Sequence, residues 1–157
     1  MDKNTISVED LKNAAGTELG PSDWLQIDQQ RINIFADATN DHQFIHVDAE
    51  KAAATPFGST IAHGFLSLSL ISHLVGQIML KPAGIIMGIN YGSDKVRFLQ
   101  PVKVDSRVRA RATVMKVSAR PGGQYLIKMA VTIEIENEER PALIAEILSL
   151  YIIQEQT

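Results

Sequence analysis

The stretch from Gly64 to Leu80, GFLSLSLISHLVGQIML, most constrains what this chain can fold into, because its residues are apolar or small on every face of a helix. A helix laid on a core shows one apolar stripe and one polar side, so a helix apolar all round is expected to be surrounded. The stretch is shorter than the roughly 20 residues a membrane-crossing helix needs. Ser67, Ser69, Ser72, His73 and Gln77 also interrupt it. It reads as a buried core helix that some other element must wrap.

The second half of the chain supplies the wrapper. Arg107 to Ser118, Gln124 to Glu136 and Pro141 to Gln154 are rich in alternating β-branched residues. Pro121-Gly122-Gly123 and Asn137-Glu138-Glu139 separate them, so they predict long antiparallel strands. In the middle one, Tyr125, Ile127, Met129, Val131, Ile133 and Ile135 share one face, and Lys128, Thr132, Glu134 and Glu136 the other. Ile85 to Tyr91 and Lys95 to Leu99 add two shorter strands around Gly92-Ser93, about five strands in all. Earlier, Asp23 to Ile27 alternates weakly as a strand, and Asp28 can cap a helix from Gln29 to about Thr39. Asn40 to Val47 reads as a loop, and Asp48 caps a short helix stopped by Pro56 and Gly58. Helices grouped before a mostly antiparallel sheet make an α+β chain. A wholly apolar helix followed by long strands favours a curved sheet rolled around it, the hotdog arrangement.

Composition narrows the function. A chain of 157 residues without internal repeat or Pro/Gly linker suits a single domain spanning residues 1–157. A net charge of -3 gives no broad positive field for nucleic acid or an anionic membrane, so neither is expected as a partner. The absence of cysteine excludes a thiolate nucleophile, a disulfide and a Cys-ligated metal. The segment MDKNTISVEDLKNAAG lacks the basic start and apolar run of a secretory signal, so the expected compartment is the cytoplasm.

The chemistry is concentrated in Phe35 to Asp48, FADATNDHQFIHVD, a segment between helices. If it curls, Asp41 and His46 can share a water between a carboxylate and an imidazole. The same residues also read as a turn cap and a satisfied, partly buried histidine, and spacing alone leaves both readings open. His42, His46 and Asp48 do not have an established zinc spacing, and no metal is expected.

Asp41-x-x-x-x-His46, followed by Ala52-Ala53 and Ile61-Ala62-His63-Gly64, resembles the hydratase-2 motif of the MaoC-like dehydratases, the family of the (R)-specific enoyl-CoA hydratases. Asn90 to Phe98 with Pro101-Val102 resembles the same family's strand after the central helix, particularly the branch similar to nodulation protein N. The resemblance covers roughly Ile27 to Val104. It implies a hotdog homodimer of fatty acid metabolism acting on an acyl-CoA or acyl-carrier thioester. The implied reaction is reversible addition of water to a trans-2-enoyl-CoA, giving an (R)-3-hydroxyacyl-CoA, with no cofactor beyond the thioester substrate.

The resemblance makes Asp41 and His46 the catalytic pair. It places Gly64, whose backbone N–H opens the central helix, as oxyanion donor. His63 and Ser72 are candidates to line the substrate site, although a packed histidine and a small packing serine are the plainer readings of each. The chain departs from the family where many members carry Gly before the Asp, here Asn40, and Asn-Pro where it has Gln43-Phe44. Arg107, Arg109 and Arg111 alternate along one strand face and read as a solvated stripe as readily as a phosphate contact. Two alternatives share the fold: a hotdog acyl-CoA thioesterase, and a non-catalytic acyl-CoA or acyl-carrier binding module. The thioesterase usually places a carboxylate on or near the central helix, and Gly64 to Leu80 has no Asp or Glu.

Overall fold

The computed structural model describes residues 4–154. A two-residue strand β1 (Thr5–Ile6) leads into α1 (Val8–Lys12), whose first turn is closed by reciprocal hydrogen bonds between Ser7 and Asp10. Two further short strands follow, β2 (Glu18–Leu19) and β3 (Leu25–Gln26). The latter is only the middle of the strand expected over residues 23–27. Asp28 caps α2 (Gln29–Thr39) by accepting from the Arg31 N–H, as its side chain and position predict. Ile32 and Ala36 bury the inner face of this helix.

The expected loop over residues 40–47 contains a single helical turn, α3 (Phe44–Val47), which is too short to announce itself by periodicity. Asp48 then caps α4 (Ala49–Ala53) through the Lys51 N–H. The apolar stretch forms two short helices, α5 (Gly64–Ser69) and α6 (Ile71–Gly76), with Leu70 between them. The axis continues through the junction, because the Leu70 N–H donates to Leu66 O at 3.1 Å and the Leu74 N–H to Leu70 O at 3.0 Å.

A short strand β4 (Lys81–Pro82) pairs in parallel with β1. Four long strands complete the chain: β5 (Ile85–Phe98), β6 (Arg107–Arg120), β7 (Gln124–Ile135) and β8 (Leu143–Ile153). The expected pair of strands over residues 85–99 is one continuous strand. Its irregularities between Ile85 and Met87, Asn90 and Gly92, and Ser93 and Lys95 are absorbed as bulges against β8.

The antiparallel sheet runs β2-β6-β7-β8-β5, with β3 also on β6, and it curls around α5 and α6. This is the hotdog fold. Ile127, Met129, Val131, Ile133 and Ile135 of β7 are buried against Leu66, Leu74 and Val75 of the helices, as the alternation requires. On the opposite face Arg109 and Arg111 pair with Glu134 at 2.6 and 2.9 Å, and Arg107 pairs with Glu136. The arginine stripe is therefore a ladder of neutralised charges.

One expectation is corrected. The central helices are not enclosed on every side: Phe65 is 68% exposed, and Ser69, Ser72, His73 and Gly76 are exposed as well. The sheet covers one face of the helix pair and leaves another open in the protomer.

Candidate active site

Helix α2 ends at Asn40 in the left-handed region, φ 57, a conformation that Asn tolerates better than other residues bearing a Cβ. Asn40 therefore meets the backbone demand met elsewhere by Gly. Phe44 takes the first position of α3, where a proline would also fit because the first N–H of a helix has no partner within it. Both departures from the family pattern are thus compatible with the local backbone seen here. That path leaves the Asp41 side chain exposed while its N–H donates to Ala36 O at 3.1 Å.

His46 is buried, and its Nδ1 lies 2.7 Å from Ile61 O. A carbonyl oxygen can only accept, so Nδ1 carries the proton and the neutral ring keeps its lone pair on Nε2. Burial holds His46 below the ordinary histidine pKa of 6.5. The Ile61 bond and Asp41 pull the value up and His63 pushes it down, but desolvation dominates. The ring is thus a neutral base near neutral pH.

Ile61 is itself held in place. Its N–H donates to Ile45 O at 3.0 Å, the Ala62 N–H to Val102 O at 2.8 Å and the Val104 N–H to Thr60 O at 3.0 Å. Gln29 ties the same pieces together: its Nε2 donates to His46 O at 2.7 Å and its Oε1 accepts from the Thr60 hydroxyl at 2.5 Å. Sequence reading missed Gln29 and Thr60. Thr60 adjoins the Ile61-Ala62-His63-Gly64 block, but nothing in the spacing of Gln29 distinguishes it.

His63 is also buried; its Nε2 donates to the Asp41 backbone oxygen at 2.9 Å, and its ring stacks on that of His46 with centroids 3.7 Å apart and planes 23° apart. Asp41, His46 and His63 each offer a donor atom within 4.8 Å of the others. For a shared cation the stacking is unfavourable, because imidazole lone pairs lie in the ring planes and near-parallel planes do not converge on one point. The arrangement suits handling a proton on a water.

Gly64 opens α5 beside a cavity of about 350 Å³ lined by His46, Gly64, Ser67, Phe98 and Val102, among others. A Cβ at Gly64 would come within 3.1 Å of the Phe98 ring. Ser72 lies elsewhere in the protomer. It accepts from Asn90 Nδ2 at 3.2 Å and lines a separate cavity of about 310 Å³ between α6 and strands β5 and β8.

Residues 10–138 match the sequence model of the MaoC like domain. The chain belongs to the MaoC-like dehydratase family. Among relatives of this MaoC-like protein, 3-hydroxyacyl-thioester dehydratase Z of Mycobacterium tuberculosis is 49% identical over 146 residues, 93% of this chain and 96% of that protein. Nodulation protein N of Rhizobium leguminosarum bv. viciae is likewise 49% identical over 146 residues, covering 92% of this chain and 91% of that one. The solved structure of an (R)-hydratase from A. caviae, described as involved in PHA biosynthesis, superposes with a TM-score of 0.69 at 25% identity. That superposition covers 86% of this chain and 94% of the other. No helix among the described residues is long and apolar enough to cross a membrane.

Proposed function

We propose that this MaoC-like dehydratase is an (R)-specific enoyl-CoA hydratase, adding water reversibly to a trans-2-enoyl-CoA to give an (R)-3-hydroxyacyl-CoA. The observation that carries this reading is the buried His46 ring, its Nδ1 turned to the Ile61 carbonyl, set close to the Asp41 carboxylate beside the cavity that Gly64 borders. A water held between the carboxylate and Nε2 gives up a proton to the pair as its oxygen bonds to C3 of the enoyl group. Electron density moves onto the thioester oxygen, where the Gly64 N–H at the helix start donates to it. The pair then returns a proton to C2 on the same face, and no atom is left unaccounted for.

The active form is a homodimer joined at β5. This 14-residue strand ends the sheet, with no strand beyond it among the described residues. Ile86, Met87, Ile89, Tyr91 and Phe98 on it are 42–59% exposed, a combination that a free protein would otherwise have to guard against aggregation. A second copy is the natural cover. The expected compartment is the cytoplasm and the expected acyl carrier is CoA or an acyl carrier protein.

The test is incubation with crotonyl-CoA while following loss of the conjugated enoyl absorbance and the configuration of the product. Wild-type protein should form the (R)-3-hydroxy product, and Asp41→Asn should lose roughly 100-fold or more in kcat, the range of a positioned acid-base group. Full turnover by Asp41→Asn would refute the mechanism. Release of free thiol without hydration would favour the thioesterase, and tight thioester binding without turnover the binding module.

A further inference from the structure

His63 is a buried side chain that touches both halves of the reacting pair. It bonds to the backbone oxygen of Asp41 at 2.9 Å and stacks on the ring of His46 at 3.7 Å, while Phe35 lies against it with ring centroids 5.0 Å apart. Asp41 sits on a short connection between α2 and α3 with an exposed side chain, so its own packing fixes it weakly. Among the described residues one hydrogen bond, on Nδ1, holds the His46 ring, and a turn of the ring about Cβ–Cγ would swing Nε2 away from Asp41.

The Nδ1 of His63 is buried without a hydrogen-bond partner among the described residues. A hydrogen on Nδ1 would be a buried donor without a partner, so the geometry favours the Nε2–H tautomer. The Nε2–H is held by the Asp41 carbonyl, and the ring presents its face to His46.

We propose that His63 is a positioning residue which sets Asp41 and His46 relative to one another, through the hydrogen bond to the Asp41 carbonyl and through the ring stack. The inference deepens the hydratase reading and rests on it for its kinetic consequence. Its geometric half stands apart from any activity.

Three variants separate the two contacts. His63→Gln keeps a donor for Asp41 and loses the stack, His63→Phe keeps the stack and loses the donor, and His63→Leu loses both. With crotonyl-CoA, His63→Leu should lower kcat by roughly 10- to 100-fold, the scale of an ångström-sized misplacement of reacting groups, with KM within about twofold. The Gln and Phe variants should each recover part of the loss. In an Asp41→Asn background the His63→Leu change should cost far less than in wild type, because residues acting as a unit are not additive.

Unchanged kcat in a folded His63→Leu protein overturns the proposal. So does a rise in KM with kcat retained, which would make His63 a substrate contact. Independently of turnover, multiple-bond proton–nitrogen spectra of the histidines should show His46 as a single Nδ1–H tautomer in wild type and His63→Phe, and as an exchanging mixture in His63→Leu. If the wild type does not hydrate crotonyl-CoA, the hydratase reading fails while these spectra still decide the positioning role. A single unaltered His46 tautomer in His63→Leu would sink it. A His63→Leu protein that does not fold is replaced by the Gln and Phe variants: wild-type kcat in both, or a single unaltered His46 tautomer in His63→Gln, which lacks the stack, would be equally fatal.

Discussion

Gly64→Ala separates the role of the helix start in catalysis from its role in folding. The new methyl would stand 3.1 Å from Cδ1 and Cε1 of Phe98 and 3.2 Å from Cγ, whereas ordinary contact begins at 3.4 Å. The ring must yield by a few tenths of an ångström. Phe98 has room to do so because it is 48% exposed, with the edge of Phe65 against its ring at 5.9 Å. Against that small strain, Ala is favoured over Gly in a helix by roughly 0.5–1 kcal/mol, so the net change in folding free energy should stay within about 1 kcal/mol. For a domain of this size that shifts Tm by no more than about 2–4 °C. The kinetic effect should be far larger. The methyl and the displaced ring narrow the wall where the thioester oxygen must come within hydrogen-bond reach of the Gly64 N–H. Loss of an oxyanion donor costs roughly 100- to 1,000-fold in kcat. Thermal unfolding and initial rates on crotonyl-CoA, measured on one preparation, test both halves. A variant with wild-type kcat would show that the thioester does not need the space beside Gly64 to reach its N–H, and a variant that fails to fold would show that Phe98 cannot move.

Three further outcomes follow from the same structure. Because burial holds His46 below 6.5 and catalysis needs its Nε2 unprotonated, the acid limb of kcat/KM should fall below pH 6.5; a limb at or above that value would contradict the desolvated base. In folding, the sign is that the unfolded chain binds the extra proton first, so the contribution of His46 to stability falls as pH drops through 6.5 and levels off below its lower folded pKa. If the protein is the proposed dimer, Ile89→Lys on the open edge of β5 should give a monomer in light scattering, and a dimer that survives would place the interface elsewhere. Arg109→Ala removes a pair with Glu134 at 2.6 Å and a stack over Trp24 at 4.4 Å, both partly exposed, so denaturant unfolding should show a loss of about 1 kcal/mol with kcat unchanged.

How much was legible in the sequence depended on the range of the signal. The capped helices were readable because Asp28 and Asp48 act on backbone groups three residues away, and β7 because alternation is a property of neighbours. Asp41 and His46 were readable as a pair through the motif they share. Helix α3 was not, since one turn carries no periodicity. Strand β5 read as two pieces because Gly92 and Ser93 are poor strand formers, and only pairing with β8 through bulges keeps them in register. Gln29 and Thr60 were invisible for a related reason: they are 31 residues apart, and their value lies in a contact that exists only once the sheet has closed.

The misjudged burial of the central helix follows from reading a single chain. Its sequence is apolar or small on nearly every face, yet the sheet of one protomer covers only part of it and leaves Phe65, Ser69, Ser72 and His73 exposed. The apolar residues of β5 are left open too, at the edge of the same sheet. An all-round apolar helix means that something surrounds it, but it does not say that the surrounding belongs to the same polypeptide. Under the dimer proposed above, the exposed Phe65 and the open apolar residues of β5 share one explanation. The pattern that suggested a buried helix then records an assembly, with the second copy supplying the cover that the protomer lacks. Ser72, on the exposed side of α6 and apart from His46 within the protomer, would then take any role it has in a site completed across that seam.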